Sequence, residues 1–361
     1  MLNKKNANNS SVTGLILVAG INLMYPSVVS LIYLFGIIEV DYFPSIIGHQ
    51  MLATLSLIAL YYTPLLKIPT FKQVVFNQKY LYLLFSLCAI FTYLTPWSLD
   101  QTSTQASITA VFRALWLVFV WSRVTIATNK ELKILAVLTL VLALLDGSRN
   151  YALLAFLGIL TAYRASTFKK IGLVVLLPIL MSFVHFVRVI VVEPSWNPSL
   201  FSALSEGFIG ESYWGYYGLK QIKLSGDVFF LQDYLSTMLF PIFGFLKFLI
   251  GNYEVFDPGY FARLNVKQEL GEGLFPMGGY VIHAQFIPLG PIIGNISLYV
   301  YLFLIRQVAA LIFGKYRSFC HWAVIFTAIK ASPDVVMSFC YFMAFYQTIA
   351  VFLGVKKIRW G

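Results

Sequence analysis

Long apolar runs recur from one end of this chain to the other, and they leave few folds open. A helix needs about 20 predominantly apolar residues to cross a bilayer core. Runs of that kind, some of them shorter, lie at Thr13–Ile37, Ile46–Leu66, Tyr80–Trp97, Ala106–Trp121, Leu132–Leu145, Tyr151–Tyr163, Ile171–Val192, Phe286–Phe313, Trp322–Ala331 and Val335–Leu353. Of the 361 residues only 11% are charged and 59% are hydrophobic, whereas about a quarter of a soluble domain is charged. That is too little charge to coat a globule, so lipid has to be the solvent for much of the surface. The expected fold is an all-α polytopic membrane protein of about ten transmembrane helices.

Charge at the ends of the runs predicts which side each connection faces. Lys67, Lys72 and Lys79, then Arg123, Lys130 and Lys133, then Arg164, Lys169 and Lys170 mark cytoplasmic turns, as do Lys315 with Arg317 and the tail with Lys356, Lys357 and Arg359. The alternate connections at Glu39–Asp41, Asp100 and Asp334 are acidic and face the other side. Both termini are then inside. The first run follows a polar start with Lys4 and Lys5; it is too long for a signal-peptide core and reads as an uncleaved span. The net charge of +11 does not make a nucleic-acid surface, because the bases sit at run ends rather than in a patch. Cys88, Cys320 and Cys340 lie within apolar runs without CxxC spacing, so they read as packing residues rather than disulfide or metal ligands.

Parity then bears on Val228–Ile250. Residue 193 follows a seventh span and is outside, and the Lys315–Arg317 turn must be inside after one further span. Val228–Ile250 also carries Asp233, Pro241 and Lys247, and charge in mid-bilayer is expensive. It is expected to be a re-entrant or interfacial helix within a long external segment, with a true crossing as the alternative. The chain thus divides into residues 1–192 with seven helices, the loop 193–284 containing helix 228–250, and residues 285–361 with three helices.

The external segment holds nine acids against five bases, and aromatics crowd Ser212–Tyr217, where they either anchor the loop or stack on sugar rings. Several cations sit where lipid should not tolerate them. Arg113 lies inside the fourth span, Arg149 opens a span at the outer face, Arg188 shares a helix face with His185, and Arg263 precedes a Gly-rich stretch. A structural pairing, such as Arg149 with Asp146, is the plainer reading of each. Guanidinium forks also bind phosphate bidentately, so arginines converging on the outer face suit a lipid-linked pyrophosphate. No P-loop, no strand-to-helix GxGxxG, no HExxH and no DxD pair occurs, and no metal or other cofactor is expected.

Three segments are similar to the O-antigen polymerase (Wzy) family of bacterial inner-membrane proteins. They are GSRNYALLAFLGIL at Gly147–Leu160, ARLNVKQELGEGLF at Ala262–Phe275 within the long loop, and GGYVIHAQFIPLGPIIG at Gly278–Gly294. The resemblance implies a GT-C-like fold and a metal-independent glycosyl transfer at the periplasmic face, from undecaprenyl pyrophosphate to a hydroxyl of the next lipid-linked repeat unit. It implies pyrophosphate contacts from Arg149 and Arg263, with Arg188 as a third and Tyr280 of the junction segment also touching substrate. The base that takes the hydroxyl proton would be His283, Glu211 or Glu272. Implied partners are the undecaprenyl-pyrophosphate-linked oligosaccharide, membrane lipid and a Wzz-like chain-length regulator, with no nucleic acid. Two other functions share parts of this pattern. An O-antigen ligase would carry the same arginines, and a lipid-linked oligosaccharide flippase would be expected to show paired halves instead of one oversized loop.

Overall fold

The computed structural model describes residues 55–66, 80–94, 103–124, 126–146, 149–192, 231–244, 286–313, 321, 324–325 and 333–352. Among these residues the chain is helical and contains no strand. In chain order the helices are α1 (Leu81–Leu94), α2 (Ser103–Arg123), α3 (Asn129–Asp146), α4 (Arg149–Ala162), α5 (Thr167–Val192), α6 (Leu231–Phe243), α7 (Gly290–Phe313) and α8 (Pro333–Phe352). A further helical stretch covers 55–62. Each lies on an apolar run identified from the sequence. The run Thr13–Ile37 is outside the described residues, and of Trp322–Ala331 only 324–325 are described, both helical.

Local chemistry sets several of the boundaries. Thr128 and Glu131 have the T-x-x-E spacing of a capping box, and the Glu131 backbone N–H donates to Thr128 Oγ1 at 3.3 Å, starting α3. Ser166 does the same for α5, accepting from the Lys169 N–H at 3.5 Å. At the start of α7, Gly290 has φ +78°, a conformation that favours glycine, as the chain leaves the 3₁₀ turn Ile287–Leu289. Four residues on, a Cβ on Gly294 would stand 2.2 Å from the Phe286 carbonyl oxygen, so the backbone there admits only glycine without shifting. The two glycines of LGPIIG are therefore both explained by backbone geometry. Among the described residues α7 is the one helix long and apolar enough to cross a membrane, judged by length and composition. Its 24 residues extend about 36 Å.

The packing is organised round α2 and α4. The first rests against α1, α4 and α8, the second against α2, α3 and α5. Every residue from Tyr151 to Leu160 is buried. A helix apolar all round belongs in an interior, and α4 is sheathed by protein accordingly. Large aromatics join the helices and place their polar atoms. Trp116 donates its indole N–H to Thr139 Oγ1 at 3.0 Å, and Trp121 donates to the Leu154 carbonyl at 3.1 Å. The Trp121 ring also meets Phe313 of α7 edge-on at 4.9 Å.

Polar side chains tie the remaining elements together. Arg306 of α7 donates through Nη1 to the carbonyls of Leu60 and Thr63, the latter at 2.8 Å. Those carbonyls lie at the C-terminal end of the 55–62 helix, where a cation is favourable; the Leu60 carbonyl also accepts the Thr63 N–H at 3.2 Å. Nearby, the hydroxyls of Tyr299 and Thr63 are 2.7 Å apart, and Gln307 Oε1 accepts from the Leu66 N–H at 3.1 Å.

Helix α6 answers in part the expectation for Val228–Ile250. Its helix covers Leu231–Phe243 and packs on both α7 and α8. Tyr234 Oη lies 3.1 Å from Ser297 Oγ, and the Tyr234 ring is edge-on to Phe286. At the other end Tyr341 Oη donates to the carbonyls of Phe240 at 2.8 Å and Pro241 at 3.2 Å. These are again terminal carbonyls of a helix. Leu231, Leu235, Leu239 and Ile242 form an exposed apolar stripe on the same helix. Tyr341→Phe should loosen the C-terminal end of α6 by about 1 kcal/mol. Faster amide exchange at 240–244 with α7 unchanged is the expected readout; uniform exchange across all helices would refute the tether.

Candidate functional site

The arginine of the GSR segment opens a helix that is buried from Tyr151 to Leu160. After Asp146 closes α3, Arg149 is the first residue of α4. A cation at a helix N-terminus opposes the helix dipole, so the position asks for an anion nearby. Two residues later Tyr151 is buried, 2% exposed. Against its ring stands Arg113 of α2, with the guanidinium carbon 5.9 Å from the ring centroid.

The opposite ends of the same helices are locked together. Asn129 donates through Nδ2 to the Arg164 carbonyl and accepts the Arg164 N–H through Oδ1, both at 3.0 Å. Beside this clamp, Arg123 and Glu131 form a bidentate ion pair, with Nε–Oε1 at 2.7 Å and Nη2–Oε2 at 3.0 Å. Both side chains are buried. Arg123, one of the bases that the sequence places in a cytoplasmic connection, thus ends α2 paired with Glu131.

Helix rise gives the position of each arginine along its own helix. Arg113 lies ten residues from Arg123, about 15 Å along α2. Arg149 lies thirteen residues from Ala162, about 20 Å along α4. Arg188 lies 21 residues from Thr167, about 32 Å along α5. Contact with Tyr151 places Arg113 beside the first turn of α4, the helix that Arg149 opens. For Arg149, His185 and Arg188 the backbone is described and the side chains are not. Glu211, Arg263, Glu272, Tyr280 and His283 lie outside the described residues, as does the Ser212–Tyr217 cluster.

Sequence reading had singled out Arg113 as an intramembrane cation but left it without a partner. Tyr151, hidden within an unbroken apolar run, carried no signal of its own. Among the described residues no group of three His, Cys, Asp or Glu side chains could hold a metal ion. The chain matches no protein-family model, and no curated protein or solved structure matches it. What the geometry offers chemically is a buried helix headed by one arginine, with a second arginine held against its first turn. Positive charge of this kind binds phosphate or stabilises a departing anion.

Proposed function

We propose that the chain is a polytopic protein of the bacterial inner membrane that polymerises undecaprenyl-pyrophosphate-linked O-antigen repeat units at the periplasmic face. In this reading about ten helices cross the bilayer with both termini in the cytoplasm. Residues 193–284 form the periplasmic loop between the first seven and last three spans. The observation that carries the proposal is the start of α4: the arginine of the polymerase-like GSR motif heads a helix otherwise buried in the bundle. Helix α6 supports the loop assignment because Asp233 and Pro241 lie within it, features that suit a re-entrant or interfacial helix better than a span. Its exposed leucine stripe suits the acyl boundary or the polyprenyl chain of the substrate.

The reaction balances without a metal or nucleotide. An acceptor hydroxyl oxygen bonds to the anomeric carbon of the donor's reducing-end sugar. The bond from that carbon to the phosphate oxygen breaks, and its electron pair leaves with undecaprenyl pyrophosphate. The hydroxyl proton passes to His283, Glu211 or Glu272. Arg149 and Arg263 stabilise the charge that develops on the leaving group, with Arg188 and Tyr280 as further contacts. A Wzz-like regulator would set the chain length.

Deletion of the gene in its host, followed by electrophoresis of the lipopolysaccharide, tests the reaction. A ladder reduced to core plus one repeat unit is the expected result. Loss of all O antigen with polymer retained on undecaprenyl would identify a ligase. Single units held on the cytoplasmic face would identify a flippase, and an unchanged ladder would reject all three.

A further inference from the structure

Helix α6 carries its polarity the wrong way round for a helix in water. Leu231, Leu235, Leu239, Ile242 and Phe243 are each 42–61% exposed, and their spacing puts them on one side of the helix. The exposed polar residue on that side is Gln232, in the first turn. The opposite side is buried and holds the polar groups. Thr237 is fully buried. Tyr234 Oη meets Ser297 Oγ of α7, and the carbonyls of Phe240 and Pro241 accept from Tyr341 Oη of α8. A helix laid on a protein in water shows the reverse, with its apolar side inward and its polar side out. Polar contacts between helices, with apolar flanks turned outward, are the pattern of helices packed in lipid.

The attachments also bear on where α6 sits. Ser297 is the eighth residue of α7 and Tyr341 the ninth of α8, about 10 and 12 Å along those helices from their first residues. Both contacts fall within the length of α7 and α8 rather than at their tips. Phe286 closes the first junction, its ring 6.1 Å from that of Tyr234 and 6.0 Å from that of Tyr301. On the turns that flank Ser297, Ile292, Ile293, Ile296 and Val300 of α7 are exposed as well. The stripe of α6 therefore adjoins an exposed apolar face of the helix that is long and apolar enough to cross a membrane. A polyprenyl chain held as a ligand would need walls to screen it, whereas these leucines stand open.

We propose that α6 is a re-entrant helix whose Leu235, Leu239, Ile242 and Phe243 lie among the fatty-acyl chains of the bilayer. This rests on the membrane reading above and needs no part of the polymerase reaction. Of the occupants that suit the stripe, it takes bulk acyl chains, and the polyprenyl chain of a substrate lies elsewhere.

The test places the photoreactive residue p-benzoylphenylalanine at position 235 or 239 of the full chain, with position 296 of α7 as reference. Each protein is reconstituted in nanodiscs of one phosphatidylglycerol carrying a small fraction of undecaprenyl phosphate, irradiated and weighed by mass spectrometry. The expected result at 235 and 239 is a gain of one phospholipid mass. Fragmentation should place the new bond on a fatty-acyl chain, as at 296, and undecaprenyl adducts should not exceed that lipid's share of the bilayer. A bond to the headgroup would put α6 in the interfacial plane and overturn the proposal. Enriched undecaprenyl adducts would overturn it in favour of a polyprenyl site, and a doubled chain mass in favour of a second copy. Lipid adducts at 296 but not at 235 or 239 would overturn the proposal alone; none at any of the three would overturn the membrane reading beneath it. A second variant, Leu235→Asp with Leu239→Asp, sets charge on the stripe, which is costly in lipid and free in water. Faster amide exchange across 231–243 with α7 unchanged is expected, and native exchange would sink the acyl placement.

Discussion

Arg149→Ala should reduce the O-antigen ladder to core plus one repeat unit while the protein accumulates in the membrane at its normal level. The two halves of this result come from one position. Arg149 is the first residue of α4, so alanine there removes a cation from a helix N-terminus and installs the best helix former. The buried stretch Tyr151–Leu160 is untouched. Stability should therefore hold or rise by about 0.3–1 kcal/mol, which thermal unfolding in detergent would register. Activity should move the other way, because losing one group that stabilises developing negative charge lowers the rate by about 10²–10³. Arg149→Lys keeps the charge without the bidentate fork and should give short, sparse ladders. Arg263→Ala is expected to give the same collapse. A full ladder from Arg149→Ala at normal expression would remove this residue from the mechanism.

Glu131→Gln should be among the most destabilising single changes in the chain. It leaves the buried guanidinium of Arg123 facing a neutral amide, and breaking one side of a buried ion pair costs about 3–5 kcal/mol. Arg123→Met alone strands the carboxylate instead and should cost a similar amount. The informative comparison is the double change Arg123→Met with Glu131→Leu. Replacing both partners by apolar groups of similar bulk removes the desolvation cost together with the attraction, so most of the lost stability should return. Thermal unfolding of the purified protein decides it. Additive losses in the double variant would mean that Arg123 and Glu131 act separately and that the pair is not what joins α2 to α3.

The helices were legible because apolar runs bounded by charge leave little choice. The run Ala106–Trp121 became Ser103–Arg123 and Leu132–Leu145 became Asn129–Asp146, each extended by the polar residues that finish or cap it. The Thr128–Glu131 box was readable too, but nothing in the sequence pattern named Glu131 as the partner of Arg123 eight residues before it. Pattern alone could not foresee the Arg113–Tyr151 contact, since periodicity assigns faces and not neighbours, and nothing local marks a tyrosine in an apolar helix as the seat of a cation. The candidate site was legible only in outline. Arg149 fell where a helix begins, whereas the approach of Arg113 to the first turn of α4 depended on which helices pack together.

The bonds from Arg306 to Leu60 and Thr63 also set an order of events during synthesis. A ribosome making this chain releases residues 55–66 long before the residue that completes them. The early segment must wait, without the guanidinium that later joins it to α7, while the later helices are made and inserted. Assembly of this corner is therefore post-translational in effect, even though insertion proceeds in step with translation. Nascent chains halted before α7 should leave the 55–66 region open to protease, and chains released after α7 should protect it.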